Sequence, residues 1–379
     1  MDIAFNLTDV SGPRLSNSPG LKRAQEWAIK QLTEWGLKNA HLEAWGTFGK
    51  GWQVDKYYAA TTAPFYHPII ASPKAWTPGT NGPIKSEVIL IKADSVADLA
   101  KYKGKLAGKI IMMDQGTPLA SGLKPDFSRY ADSTLAKMAD AKPTETGARQ
   151  RQTGGPMAER MAQMMKMREV RAAMNTMLVE EKGGHFDSWH AATGATDNAA
   201  GSAVMMEAMR ILKAIDFKPK RTIRIALWSS EEQGLFGSRG YVAKHFGDPK
   251  TMVLTPDQKK ISAYYNLDNG TGKIRGIYLQ GNAAAGPIFQ SWLAPFKDLG
   301  ATTVTVSNTG GTDHQAFDAV GIPGFQFIQD PADYNTRTHH SNMDTYDRLV
   351  EDDLKQSATI VASFVYNTSQ REAQIPRKE

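Results

Sequence analysis

The chain contains no cysteine. That excludes disulfides, thiolate nucleophiles and sulfur-rich zinc sites together, so any metal must be held by imidazole and carboxylate. No apolar run reaches the roughly 18 residues that suggest a membrane helix, and no membrane span is expected. The opening residues, Met1-Asp2-Ile3-Ala4, lack the basic and apolar regions of a signal peptide. A cytoplasmic protein and the mature form of an exported one both fit that start. Although the net charge is +6, the lysines and arginines are spread along the chain without a basic-aromatic repeat. Nucleic acid is therefore not expected as a partner, and the charge reads as a solubility feature.

What is present is an ordinary globular composition, 41% hydrophobic and 22% charged over 379 residues, enough for one large domain or two modest ones. Ser18-Pro19 before Leu21, Ala24, Ala28, Leu32 and Trp35, with Gly36 after, predicts a capped helix. Residues 61–115 carry turn residues between the short β-rich runs Val88–Ile91 and Ile110–Met113, which reads as a small β-rich insertion. A polar stretch follows, and Pro156 opens a methionine-rich helical pattern to about Glu181, read as a helix packing its apolar stripe on a neighbour. Residues 116–183 thus form a polar linker and a Met-rich helix. From His185 the pattern is α/β: helices at Ala199–Ile215, Gly234–His245 and Glu351–Tyr366 alternate with strands. The strands are placed at Thr222–Trp228, Ile261–Leu267, Gly276–Leu279, Thr302–Val306 and Gly324–Ile328.

Four polar clusters fall where strands end, the edge at which open α/β sheets gather ligands. In Gly184-His185-Phe186-Asp187, an Asp two residues after a His can fix the tautomer that binds metal. Gly194-Ala195-Thr196-Asp197-Asn198 precedes a helix, and by itself reads as a helix cap. Glu231-Glu232 follows the apolar alternation Ile223, Ile225, Leu227. Adjacent glutamates there suit either a solvated helix start or a division of labour between metal binding and proton transfer. The fourth cluster pairs Asp268 with the segment Thr338-His339-His340-Ser341-Asn342-Met343-Asp344. Histidines and carboxylates from separate strand-end loops suit divalent cations, zinc foremost.

Together these motifs resemble the two-zinc exopeptidase family that includes bacterial leucyl aminopeptidases, glutamate carboxypeptidase II and plasma glutamate carboxypeptidase. The likeness runs from Gly184 to about Leu349, and Asn17-Ser18-Pro19-Gly20 resembles the family's opening. Residues 61–115 resemble the first half of a protease-associated domain. The resemblance implies an α/β fold with a mixed, mostly parallel sheet flanked by helices, built from residues 1–60 and 184–379. It implies two zinc ions, with His185 and Asp268 on one, Glu232 and His340 on the other, and Asp197 bridging both and joined to Asn198 by a cis peptide. Glu231 would be the general base acting on a water between the ions, and Asp187 would orient His185. The substrates would be short peptides, cleaved as by an aminopeptidase or dipeptidase, in a periplasmic or secreted mature protein.

Family members carry two further strands before the first histidine, whereas here Leu178-Val179-Glu180-Glu181-Lys182-Gly183 places three charges where a buried strand would run. A carboxypeptidase-type activity, with Arg337 or Arg239 receiving a carboxylate, and an inactive or non-catalytic domain of the same fold stand as alternatives.

Overall fold

A computed structural model describes residues 1–73, 75–80, 82–113, 122–123, 125–142, 165–166, 169–170, 173, 184–185 and 192–378. The chain divides into two compact units. The first comprises residues 1–56, 124–144 and 190–379, and the second residues 57–123 and 145–189.

In the first unit, helix Pro19–Glu34 starts as its punctuation predicts. Ser18 is extended and its hydroxyl accepts from Leu21 N at 3.1 Å, with Pro19 in the first turn. Ala24, Ala28 and Leu32, four residues apart, form its buried stripe. Helix Ala200–Ala214 buries Val204, Ala208 and Leu212 by the same spacing. It packs with helix Glu351–Gln370 around Phe289, Phe325, Phe327 and Phe364. Phe289 meets Phe325 edge-on at 4.8 Å, the arrangement that aromatic quadrupoles favour.

The sheet of this unit has four strands in the order Thr303–Thr305, Ile274–Tyr278, Gly324–Gln329, Tyr264–Asn266. The two outer pairings are parallel and the central one is antiparallel, so the sheet is mixed. All six residues of Gly324–Gln329 are buried, as befits an inner strand covered on both faces. A Cβ at Gly276 would lie 1.8 Å from Thr303 O, so only glycine lets these two strands approach.

One expected strand is missing. Thr222–Trp228 is assigned no strand pairing. Its side chains alternate between exposed and half-buried from Thr222 to Ala226, and the pattern then breaks, with Leu227 exposed. However, a cavity of about 590 Å³ is lined by this segment and by residues 263–268 of the neighbouring strand. Alternation alone does not make a strand; a backbone edge must also come within hydrogen-bonding reach.

The second unit holds a parallel sheet of Val88–Ile91, Ile110–Met113 and Gly184–His185, in that order. Ile91, Leu99, Leu106 and Ile111 form its small core. The strand that carries His185 thus pairs with Ile110 and Ile111. The side chain of His185 and all of Asp187 lie outside the described residues, as does the 178–183 segment. So does most of the methionine-rich stretch, of which residues 165–166, 169–170 and 173 are helical. Among the described residues no helix is long and apolar enough to cross a membrane.

Candidate metal centre

The centre is built on the turn ahead of helix Ala200–Ala214. The Asp197-Asn198 peptide is cis, and both residues leave helical geometry, at φ −125° and φ −133°. The two oxygens of Asp344 receive Thr196 N at 2.6 Å and Asp197 N at 3.0 Å, and so hold the turn from across the fold. From the other side Arg14 donates to the carbonyls of Thr193 and Gly194, at 2.7 and 2.8 Å. Asn198 bridges to the sheet by donating to Leu267 O at 3.1 Å and accepting from Gly201 N at 2.9 Å. A Cβ on Gly201 would sit 2.1 Å from Leu267 O, so glycine is what lets the helix start approach the strand end.

Glu231 and Glu232 lie on the loop before helix Phe236–His245. Ser230 and Leu235 both take φ of +59°, a tight path pinned from outside. Ser16 Oγ lies 2.6 Å from Ser230 Oγ and donates to Gln233 Oε1 at 2.6 Å, while Trp45 Nε1 donates to Ser229 Oγ at 2.8 Å. One short segment, Arg14 to Ser18, therefore braces the Asp197 turn, the glutamate loop and the start of helix Pro19–Glu34.

Asp268 follows strand Tyr264–Asn266, and its Oδ2 accepts from Thr312 Oγ1 at 2.5 Å. Thr312 in turn accepts from Asn266 at 2.9 Å, which fixes its rotamer. His340 adopts φ +55°. Its Nε2 lies 2.9 Å from Glu232 Oε2 and 3.5 Å from Asp197 Oδ2. One donor atom from each of Asp197, His339 and His340 lies within 4.8 Å of the other two. The structure thus gathers Asp197, Glu232 and His340, with Glu231 and Asp268 close enough to act on them through charge.

Electrostatics show what this arrangement lacks. Burial, then the charges of Glu232, Asp268, Asp344 and Glu231, push the Asp197 carboxyl up to about 10. Burial, then Asp268, Asp313 and Glu232, push Glu231 up to about 9. Burial also raises Asp268 to about 6 against the opposing Thr312 hydrogen bond, and Asp313 to about 7. His340 is raised chiefly by its hydrogen bond to Glu232. Asp197 Oδ2 and Asp268 Oδ1 are shielded from solvent and have no hydrogen-bond partner. Buried carboxylate oxygens without donors are stabilised by a cation, and a carboxylate–imidazole donor set fits zinc.

Sequence reasoning missed several contributors. Arg14, Ser16, Thr312 and Asp313 carried no signal in isolation, since Thr312-Asp313 after two glycines reads as a turn. Asp313 is buried beside Glu231, with Oδ1 unpartnered. Burial, then the nearby Asp197 charge, raise the Tyr334 phenol well above its ordinary value. Arg337, considered as a carboxylate receptor, is instead bound by Asp126, with Nε donating at 2.6 Å.

An α/β fold whose loops gather carboxylates and an imidazole in this way defines a metallopeptidase type of centre. The sequence pattern of peptidase family M28 matches residues 170–365, and the chain belongs to that family of zinc exopeptidases. Carboxypeptidase Q of Mus musculus is 26% identical over 98% of this chain and 86% of its own length. Aminopeptidase YwaD of Bacillus subtilis is 28% identical over 50% of this chain and 40% of its own. The fold matches a peptidase M28 precursor from Shewanella amazonensis with a TM-score of 0.62 at 21% identity, covering 100% of this chain and 95% of the other. It matches a zinc aminopeptidase from Bacillus subtilis with a TM-score of 0.56 at 15% identity, covering 98% and 95%.

Proposed function

We propose that the chain hydrolyses the terminal peptide bond of short peptides carrying a free α-amine, with two zinc ions and Glu231 as general base. The observation that carries this reading is the convergence of Asp197, Glu232 and His340 around a buried, unpartnered carboxylate oxygen. These three would hold one ion, and Asp268, with its own unpartnered Oδ1, would contribute to a second that Asp197 shares. Zinc would polarise the scissile carbonyl and ease deprotonation of the attacking water. Glu231 takes the proton from that water and returns it to the leaving nitrogen as the carbon–nitrogen bond breaks. Asp344 and Arg14 keep the Asp197 turn in place, and Thr312 keeps the Asp268 carboxylate aimed.

The amino-end preference rests on charge. The negative field of Glu231, Glu232, Asp268 and Asp313 suits an α-ammonium, whereas Arg337 is already engaged by Asp126. The name of the relative from Mus musculus favours a second reading, removal of residues from the carboxyl end. The Mus musculus alignment spans 419 positions, more than the 379 residues present here, so that relative has residues this chain lacks.

Replacing Glu231 by Gln tests the proposal directly. The variant is expected to retain zinc while turnover of leucine p-nitroanilide falls about 10²–10⁴-fold, the usual contribution of a general base. Unchanged turnover would remove Glu231 from the mechanism. Cleavage of N-acetylated leucine p-nitroanilide at the rate of the free-amine substrate would remove the amino-end preference.

A further inference from the structure

Adjacent residues in an extended chain point to opposite sides, yet the rings of His339 and His340 lie face to face, with centroids 3.8 Å apart and planes 24° apart. The left-handed φ of +55° at His340 accompanies this turn of both imidazoles to one side. His339 N donates to Tyr334 O at 2.8 Å, and the Tyr334 ring packs 4.8 Å from the His339 ring. The His339 ring thus meets the rings of both His340 and Tyr334, although the residue is exposed. A ring nitrogen of His339 comes within 4.8 Å of donor atoms on both Asp197 and His340.

We propose that His339 is a further ligand of the ion held by Asp197, Glu232 and His340. The proposal rests on the metal-dependent reading above and extends it. Tetrahedral zinc with bonds of about 2.0–2.2 Å to nitrogen and oxygen separates its donors by about 3.3 Å. His340 Nε2 stands 3.5 Å from Asp197 Oδ2 and 2.9 Å from Glu232 Oε2, already near that spacing. His339 needs only a side-chain adjustment to join them, and being exposed it has room to make one. Two imidazoles and two carboxylates form a mixed nitrogen–oxygen set that favours zinc over calcium or magnesium, which take oxygen ligands. With His339 engaged, four protein donors would close a tetrahedral site, so His339, the exposed one, would have to give way to a substrate.

Zinc affinity, measured by competition with a chromophoric chelator, and the visible spectrum of the cobalt-substituted protein test this without relying on turnover. His339→Phe keeps a ring against His340 but offers no donor. It is expected to weaken zinc binding about tenfold or more, the scale on which losses around a metal ligand act, and to shift the cobalt spectrum. His339→Gln is expected to act in the same direction, and provides the measurement should Phe disturb folding. If both variants bind zinc as tightly as the unmodified chain, with the same cobalt spectrum, His339 is not a ligand. His340→Ala separates the two levels of inference. Loss of zinc there with full retention in His339→Phe overturns the His339 assignment and leaves the functional reading standing. An unmodified chain that takes up no zinc overturns both.

Discussion

Zinc uptake near neutral pH should expel protons. In the metal-free centre Asp197 is pushed up to about 10 and Glu231 to about 9, first by burial and then by neighbouring carboxylates. At pH 7 both therefore carry protons. A coordinating carboxylate must be ionised, so binding at Asp197 releases one proton, and the added positive charge draws Glu231 toward ionisation and a second. The three units between pH 7 and a value of about 10 lower the apparent zinc affinity about a thousandfold relative to the ionised site. Affinity should accordingly rise about tenfold or more per pH unit between 7 and 9. Calorimetric titration at pH 7 in two buffers of different ionisation enthalpy reads the proton number directly, and about one to two per ion is expected. Heat that is independent of buffer means no proton release, and would refute both the crowding of carboxylates and their role as ligands.

Stability provides the matching sign. Folding raises Asp197 from 3.8 and Glu231 from 4.5, so the metal-free fold gains from their protonation. That gain is fully present below the unfolded values and is lost as pH rises through about 9 to 10. The midpoint of thermal unfolding without metal should fall on that account between pH 5 and pH 9, and the shift produced by zinc should grow over the same interval.

Two substitutions probe the support of the centre. Asp344→Asn leaves one of the Thr196 and Asp197 amides facing an NH₂ group, and loss of that charge-assisted hydrogen bond should cost about 1.5–3 kcal/mol in urea unfolding, with weaker zinc binding. A variant of unchanged stability would mean that the turn is held by other contacts. Gly201→Ala places a methyl against Leu267 O and Asn198 Oδ1, both fixed, and should destabilise by about 1–3 kcal/mol or more with reduced zinc affinity; unfolding and chelator competition measure the two effects.

Local signals carried most of the secondary structure. Val88–Ile91 and Ile110–Met113 form where short continuous apolar runs place them. The Ser18 cap, the four-residue apolar spacing of Ala200–Ala214 and the strand at Gly324–Gln329 follow from equally local rules. Thr222–Trp228 fails for the complementary reason. Its apolar alternation is regular in the sequence, but strand formation depends on a partner edge, and the cavity along it is a property of distant residues such as Met205, Tyr265 and Val365.

The same division explains the centre. Asp197, Glu231, Glu232, Asp268 and His340 were legible as candidates because the ligands of such a centre would occupy short motifs. Their supports were not, since Arg14 reaches the Gly194 carbonyl across 180 residues and Asp344 reaches Thr196 across 148. A supporting contact needs only a donor or acceptor at the right place in space, and many residue types could supply one from many positions. A ligand or a base has no such freedom of type. Chemistry is therefore written in the sequence more plainly than the scaffolding that makes it work, and Asp344 was visible only because it stands four residues from His340.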